Sequence, residues 1–299
     1  MSATRWHTGP LDVFDWLQEN DTSLEDIFLP SILTHINKKE NQGSEAVKPT
    51  SISEESIKYP EIIPILPLRG VVVYPQTAVP LTIGQPRSIK LVDEVSMSTE
   101  KMIGMVAARS NETEEPGPAD LYTIGTLGAI QRLFRAPDNT IRLLVQGLVR
   151  FKVVEFVGSE PYLKARIEVM PEQVESGLEI EALARSARDQ FEQISGLTPS
   201  IPRELVASIV TIEDPLQTAY TIANFQRIEL GDAQRILELD STKAKLEKLV
   251  DLLVRELEVL SLGAKIQNQA RSEIEKVQRE YYLREQMKAI QKELGENDE

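Results

Sequence analysis

The residues best able to do chemistry are scarce, and none stands in a pattern that would use it. His7 and His35 are the two histidines of the 299-residue chain, and they lack the spacing of metal ligands or of a base with its partner. With no cysteine in the sequence, disulfides, thiolate metal sites and cysteine nucleophiles are excluded. A phosphate-cradling loop needs glycine followed by lysine, and none of the 15 glycines is so followed. There is no G-x-S-x-G elbow and no H-E-x-x-H pair. Gly125-Thr126-Leu127-Gly128 lacks the spacing of a dinucleotide loop and reads as a bend in a strand. Glu112, Glu114 and Glu115 read as a solvated loop, and nothing singles out a catalytic carboxylate pair. The expectation is a chain with no catalytic, cofactor or metal site of its own, so its function lies in surfaces.

Composition narrows what those surfaces bind. The net charge is −14 and the pI about 4.8, which argues against nucleic acid or an anionic membrane, since both need a dense basic patch. Hydrophobic residues at 41% and charged residues at 27% fit a globular protein of more than one folded unit. The most apolar stretch, Ile62 to Ile83, carries Arg69 and is broken by Pro64, Pro67, Pro75 and Pro80, so it cannot form a membrane-spanning helix. The first residues lack the apolar run of a secretion signal, and Asp12, Asp15, Glu19 and Asp21 do not suit an organelle presequence. A cytoplasmic location is expected.

Four regions differ in pattern. Residues 1–58 read as an acidic tail with two apolar clusters, Val13-Phe14-Trp16-Leu17 and Ile27-Phe28-Leu29, the second after a cap at Ser23. The stretch after Asn37 has almost nothing to bury and reads as a linker. The tail is either a docking peptide for another protein or a segment that folds back on its own domain. Residues 59–171 read as strands: Val71-Val72-Val73-Tyr74 between proline turns, Lys101–Ala108, and Tyr122–Phe134 with Thr140–Leu148 flanking a turn at Ala136-Pro137-Asp138-Asn139. Ile141, Leu143 and Val145 alternate with Arg142, Leu144 and Gln146, and Tyr162–Val169 alternates more cleanly. One helix, from Pro86 through Val95, interrupts them. Residues 172–240 switch to helical period: Leu183, Ala187, Phe191 and Ile194 up to Gly196, a helix opened by Pro202, another by Asp214-Pro215, and a fourth capped by Asp232. From Ser241 to about Leu294 there is no proline and one interior glycine, Gly263, so this stretch reads as one helix roughly 80 Å long that makes residues 241–299 a long linker helix. Leu246, Leu249, Leu253, Leu257 and Leu260 form a stripe, and apolar residues thin after Gly263.

Two stretches resemble a known family. Ile65-Leu66-Pro67-Leu68-Arg69, then Val72, Pro75 and Val79-Pro80-Leu81, with Arg87-Ser88-Ile89, Asp120-Leu121-Tyr122, Ile124-Gly125-Thr126 and Gly147-Leu148-Val149-Arg150, resemble the opening of the amino-terminal domain of ATP-dependent Lon proteases. Arg279-Glu280-Tyr281-Tyr282-Leu283-Arg284-Glu285-Gln286-Met287-Lys288-Ala289-Ile290, ending Lys292-Glu293-Leu294-Gly295-Glu296, resembles the linker helix leading into their ATPase module. The tail is longer than the bacterial pattern, and Gln85-Pro86 stands where the family usually has Gly-Arg. The resemblance covers residues 60–296 and implies an α+β fold: a small PUA-like antiparallel β-barrel, a helical bundle and a long C-terminal helix. It also implies a hexameric AAA+ parent whose ATP and Mg sites and Ser–Lys dyad lie beyond Glu299.

The expected role is therefore a substrate-recognition and tethering module that captures unfolded or damaged polypeptide for an ATP-dependent serine protease. The rival expectation is a structural module whose long helix ties subunits together. Pro67, Leu68, Arg69, Tyr281, Tyr282, Leu283 and Met287 are the candidate contacts with substrate or neighbouring domains, and Leu253 and Leu257 the candidates for assembly. Alternatively the prolines set strand ends, Arg69 and Arg150 are paired structural charges, and Tyr281, Tyr282 and Leu283 form a helix-packing patch.

Overall fold

A computed structural model describes residues 59–198 and 201–293. The tail expected over residues 1–58, with His7, His35 and both apolar clusters, lies outside the described residues, as does Leu294. The architecture is α+β: six strands, five of them closing into a ring, followed by helices and one long C-terminal helix.

Strands β1 (Ile62–Leu68), β2 (Ala78–Ile83), β3 (Met102–Ala107), β4 (Ile124–Arg135), β5 (Ile141–Gly158) and β6 (Lys164–Met170) form one sheet in the order β2-β5-β4-β3-β1-β6. The sheet closes because β5 also pairs with β6. All pairings are antiparallel except β1 with β3, which is parallel. Closure depends on the length of β5, 18 residues, ten further than the alternation up to Leu148 indicates. Its first half pairs with β2 and its second with β6. Register shifts at Leu127/Gly128 and Ile130/Arg132 in β4 bend the sheet enough for this. The turn between β4 and β5 places Asn139 in the left-handed region at φ 63°, and Asp138 accepts from the backbone N–H and hydroxyl of Thr140. The Thr140 hydroxyl hydrogen bond holds the Asp138 carboxyl below its usual range.

Two apolar clusters fill the ring. Helix α1 (Pro86–Met97) buries Leu91, Val92 and Val95 against Leu66, Leu81, Ile103, Leu143 and Val145. Ile63, Ile65, Phe151, Leu163 and Ala165 fill the other half.

Val71–Tyr74 is not a strand, contrary to its alternation-free apolar pattern. Val72, Val73 and Tyr74 are buried, but the segment crosses the ring toward the helices without joining the sheet. Its backbone groups are met singly: the Thr126 hydroxyl donates to Val73 O at 2.6 Å, Gln76 N to Gly147 O at 3.0 Å, and Gly147 N to Thr77 O at 2.8 Å. A Cβ on Gly147 would stand 2.2 Å from Tyr74 O, so the crossing needs glycine there.

Helices α2 (Leu178–Leu197), α3 (Arg203–Val210), α4 (Pro215–Phe225) and α5 (Leu230–Glu238) pack around the start of α6 (Thr242–Glu293). Asp214 caps α4 by accepting from the Leu216 and Gln217 N–H groups. Helix α2 runs one residue past Gly196. Asp232 does not cap α5; Glu229 holds that place, and Asp232 sits in the first turn, 2.6 Å from Lys248 of α6. Its carboxylate is paired with Lys248 of the neighbouring helix, and Glu229 makes no side-chain cap bond. Helix α6 is unbroken over 52 residues, about 78 Å.

Candidate functional site

The junction of ring and helices is organised by α5, whose last turn leaves carbonyls without intrahelical partners. Two buried cations take them. Arg150, on β5, donates from one guanidinium nitrogen to Leu237 O and Leu239 O, each at 2.9 Å. Lys245, in the first turn of α6, donates to Ile236 O at 3.2 Å and also to Leu239 O. Both side chains are almost wholly buried, at 1% and 0% exposure. Cations at a helix C-terminus are favoured by its dipole, but two such charges out of water need a counter-charge.

Glu172, in the link between β6 and α2, supplies it. Its Oε1 lies 2.6 Å from Arg150 Nε, a charge contact without hydrogen-bond alignment, and its Oε2 lies 3.5 Å from Lys245 Nζ. The Tyr220 hydroxyl donates to the same carboxylate. Burial, then Glu172, pushes the Tyr220 phenol well up. Burial lowers Lys245 to about 8, partly opposed by Glu172. Tyr220 stacks on Tyr74 with ring centroids 5.4 Å apart, and Tyr74 donates to Ala233 O at 3.0 Å. Ring, crossing segment, bundle and long helix thus meet at one ionic knot.

A second feature is a narrow cleft of about 50 Å³ where the ring is incomplete. Pro67 and Leu68 of β1 have left the pairing with β6, which ends at Pro64, and among the described residues β2 pairs with β5 alone. Pro67, Leu68 and Arg69 therefore face Leu81 and Ile83 across a gap, with Gln85, Ser88 and Pro116 closing it. The acidic loop is pinned there: Gln85 and Arg87 donate to Glu114 O and Pro116 O. Pro67 is half-buried and Leu68 buried, so only part of this lining is presented to solvent.

Helix α6 carries the third feature. Leu246, Leu249 and Leu253 are buried in the bundle core and Leu257 packs half-buried against it. Beyond, Val259, Leu262, Ile266, Ile274, Val277 and Tyr281 follow mostly three or four apart and stand in solvent. Tyr282, Leu283 and Met287 are 54–62% exposed. The structure thus keeps the two sequence-derived groups apart: Pro67, Leu68 and Arg69 line the ring's gap, while Tyr281, Tyr282, Leu283 and Met287 lie near the far end of the rod.

Comparison with known proteins connects these surfaces. A sequence model described as the ATP-dependent protease La (LON) substrate-binding domain matches residues 62–255. The chain belongs to the Lon substrate-binding domain family. It is 48% identical over 239 residues to a Lon protease of Dictyoglomus thermophilum, covering 80% of this chain and 30% of that protein. To the Lon protease of Escherichia coli K12 it is 40% identical over 237 residues, covering 79% and 30%. The chain thus spans about 30% of the length of these relatives. The N-terminal domain of a Mycobacterium avium complex Lon protease shares the fold, with TM-score 0.53 at 19% identity, over 64% of this chain and 98% of that one. The matched sequence model takes in the ring, the knot and Leu246, Leu249 and Leu253 of α6, and it ends at residue 255.

Sequence reading found Arg150 as a paired charge and missed Glu172, Lys245, Tyr74 and Tyr220. Lys245 left one signal: it falls four residues before Leu249, on the flank of the stripe that must be buried. Its partner is remote in sequence, so nothing local names Glu172.

Proposed function

We propose that this domain captures extended segments of unfolded or damaged polypeptide and passes them to an ATP-driven protease that follows it in the whole protein. The observation that carries the reading is the run of exposed apolar side chains on α6 beyond Leu257, beside a family whose description is substrate binding. An unfolded chain exposes apolar residues in no fixed order, and a long strip of exposed Val, Ile, Leu, Tyr and Met can contact them without sequence rigour. Tyr281, Tyr282, Leu283 and Met287 are the contacts on the rod. Pro67, Leu68 and Arg69 are the contacts on the ring, where an extended segment meets two unpaired strand edges. The domain itself does no chemistry; ATP, Mg and the Ser–Lys dyad belong to the rest of the protein.

A second reading rests on the same strip. Exposed apolar surface on a rod also suits other copies of the chain, with Leu253 and Leu257 fixing the root of each rod and a hexamer as the assembly. Binding of a permanently unfolded, fluorescently labelled protein separates the two. Tyr281→Ser with Met287→Ser weakens that binding several-fold under capture, with sedimentation unchanged. Under assembly the same pair shifts sedimentation and leaves binding intact. Unaltered binding with both the rod pair and Leu68→Ser/Arg69→Ser replaced overturns the capture reading.

A further inference from the structure

Between the α4–α5 link and α6 lies an open groove of about 320 Å³ that shares no lining with the gap in the ring. Ile228, Leu252, Leu253 and Val259 give it apolar walls, and Arg227, Glu229, Arg255 and Glu256 stand exposed around them. Charges of both signs at the mouth turn away neither acidic nor basic residues. Gln226, in the same lining, holds a side-chain nitrogen that is buried and has no hydrogen-bond partner. A buried donor without an acceptor is costly, and a guest that brings an oxygen relieves it.

The groove opens onto one face of α6. At about 100° per residue, Leu252, Val259, Ile266, Ile274, Val277 and Tyr281 fall within about 80° of one another round the helix. The last five of these are 57–68% exposed. The buried stripe of Leu246, Leu249 and Leu253 is centred about 90° away, so the exposed face is not a continuation of the packed one. Ile290 lies on the far side of the rod, about 160° round. Of the four rod contacts named for capture, Tyr281 alone lies on this face.

An extended polypeptide suits the groove better than a helix does. Carbonyls in the middle of a helix are bonded within it, so the rod of a second copy has no oxygen to give Gln226, whereas an extended chain has one at each residue. We propose that groove and face form one track, along which an extended segment of unfolded polypeptide lies. One apolar side chain sits against Leu252 and Val259, and a backbone carbonyl accepts from Gln226 Nε2. The proposal rests on the capture reading and adds to it an anchor point and a length. From Leu252 to Tyr281 the helix rises about 44 Å, a distance that an extended chain covers in about 13 residues.

The test titrates fluorescein-labelled Gly/Ser peptides, with phenylalanine at every third position and lengths of about 6, 13 and 20 residues, into the full chain. Affinity is expected to rise several-fold from the shortest to the middle length and to level off beyond it. Val259→Ser/Val277→Ser, at two exposed positions, is expected to return the middle peptide to the affinity of the shortest. Ile290→Ser is expected to leave it unchanged. Gln226→Leu is expected to weaken binding while raising the urea midpoint, because it removes a donor that the free chain leaves unmet; unaltered binding overturns the carbonyl contact. Affinity that ignores the valine pair, falls equally with Ile290→Ser, or climbs on to the longest peptide overturns the track while capture stands. A valine pair that shifts sedimentation and spares peptide binding gives the face to a second copy, and the proposal falls. Failure of every peptide and of an unfolded protein to bind overturns capture itself, and the track with it.

Discussion

Leu246, Leu249 and Leu253 in the first turns of α6 are 0–2% exposed, whereas Leu262, Ile266 and Leu283 further along the same helix are 54–59% exposed. Residue types hardly differ; surroundings do. Each buried leucine contributes roughly 1.5–3 kcal/mol of transfer energy near the root. Along the rod the apolar side chains contribute little, and helix is held by propensity and by weak pairs such as Arg271–Glu275 at 3.0 Å and Lys288–Glu285 at 3.1 Å, each about 0.2–0.5 kcal/mol. Nucleation is the costly step in a helix, so a packed root lets the rod propagate from turns already formed. One helix thus serves two purposes: the root fixes its direction and the rod offers surface.

The root should fail most severely at its charges. Glu172→Gln leaves Arg150 and Lys245 buried without their shared carboxylate and is expected to cost about 3–5 kcal/mol, read as a lower urea midpoint. Leu253→Ala should cost about 2–5 kcal/mol and Leu257→Ala less, because Leu257 is already half in solvent. Tyr281→Ala and Met287→Ala should stay within about 0.5 kcal/mol of the parent chain. Equal losses for the root and rod substitutions would show that the rod is packed too, and the contrast would collapse.

Lys245 gives the root a pH signature. Its folded pKa, about 8, lies below the usual 10.5, so between these values the unfolded chain holds more protons than the folded one. Stability from this group therefore rises as pH climbs from 8 to 10.5 and is flat below 8. The difference in unfolding free energy between the parent chain and Lys245→Met should grow across that window; a constant difference would mean the lysine is solvated. A local gain confined to the rod is expected at Gly263, where an added Cβ meets nothing within 4 Å. Gly263→Ala should strengthen the rod by about 1 kcal/mol, seen as slower hydrogen exchange after residue 263 with the urea midpoint of the root unchanged.

Periodicity made much of this legible. The alternation through Tyr162–Val169 became β6, with Leu163, Ala165 and Ile167 inside the ring, and Pro86, Pro202 and Asp214-Pro215 stand at or beside the starts of three helices. The same rule misled at Val71–Tyr74, because a fully buried crossing and a buried strand have the same composition. It also stopped β5 ten residues early, since the second half of the strand carries the exposed apolar residues Val154 and Val157 and shifts register at Val153/Glu155 and Phe156/Gly158, which breaks the alternation.

By itself, the sequence determined the class of fold, the change from period two to period 3.6, the uninterrupted final helix and the absence of any recognisable catalytic pattern. These follow from local spacing, and local spacing is what a chain carries along its length. Tertiary structure alone decided that β5 closes the ring, that Glu172 faces two cations separated from each other by ninety-five positions, and that the bundle stops covering α6 near Leu260. Each of those depends on which surfaces meet, and burial and charge pairing act through space regardless of distance along the chain.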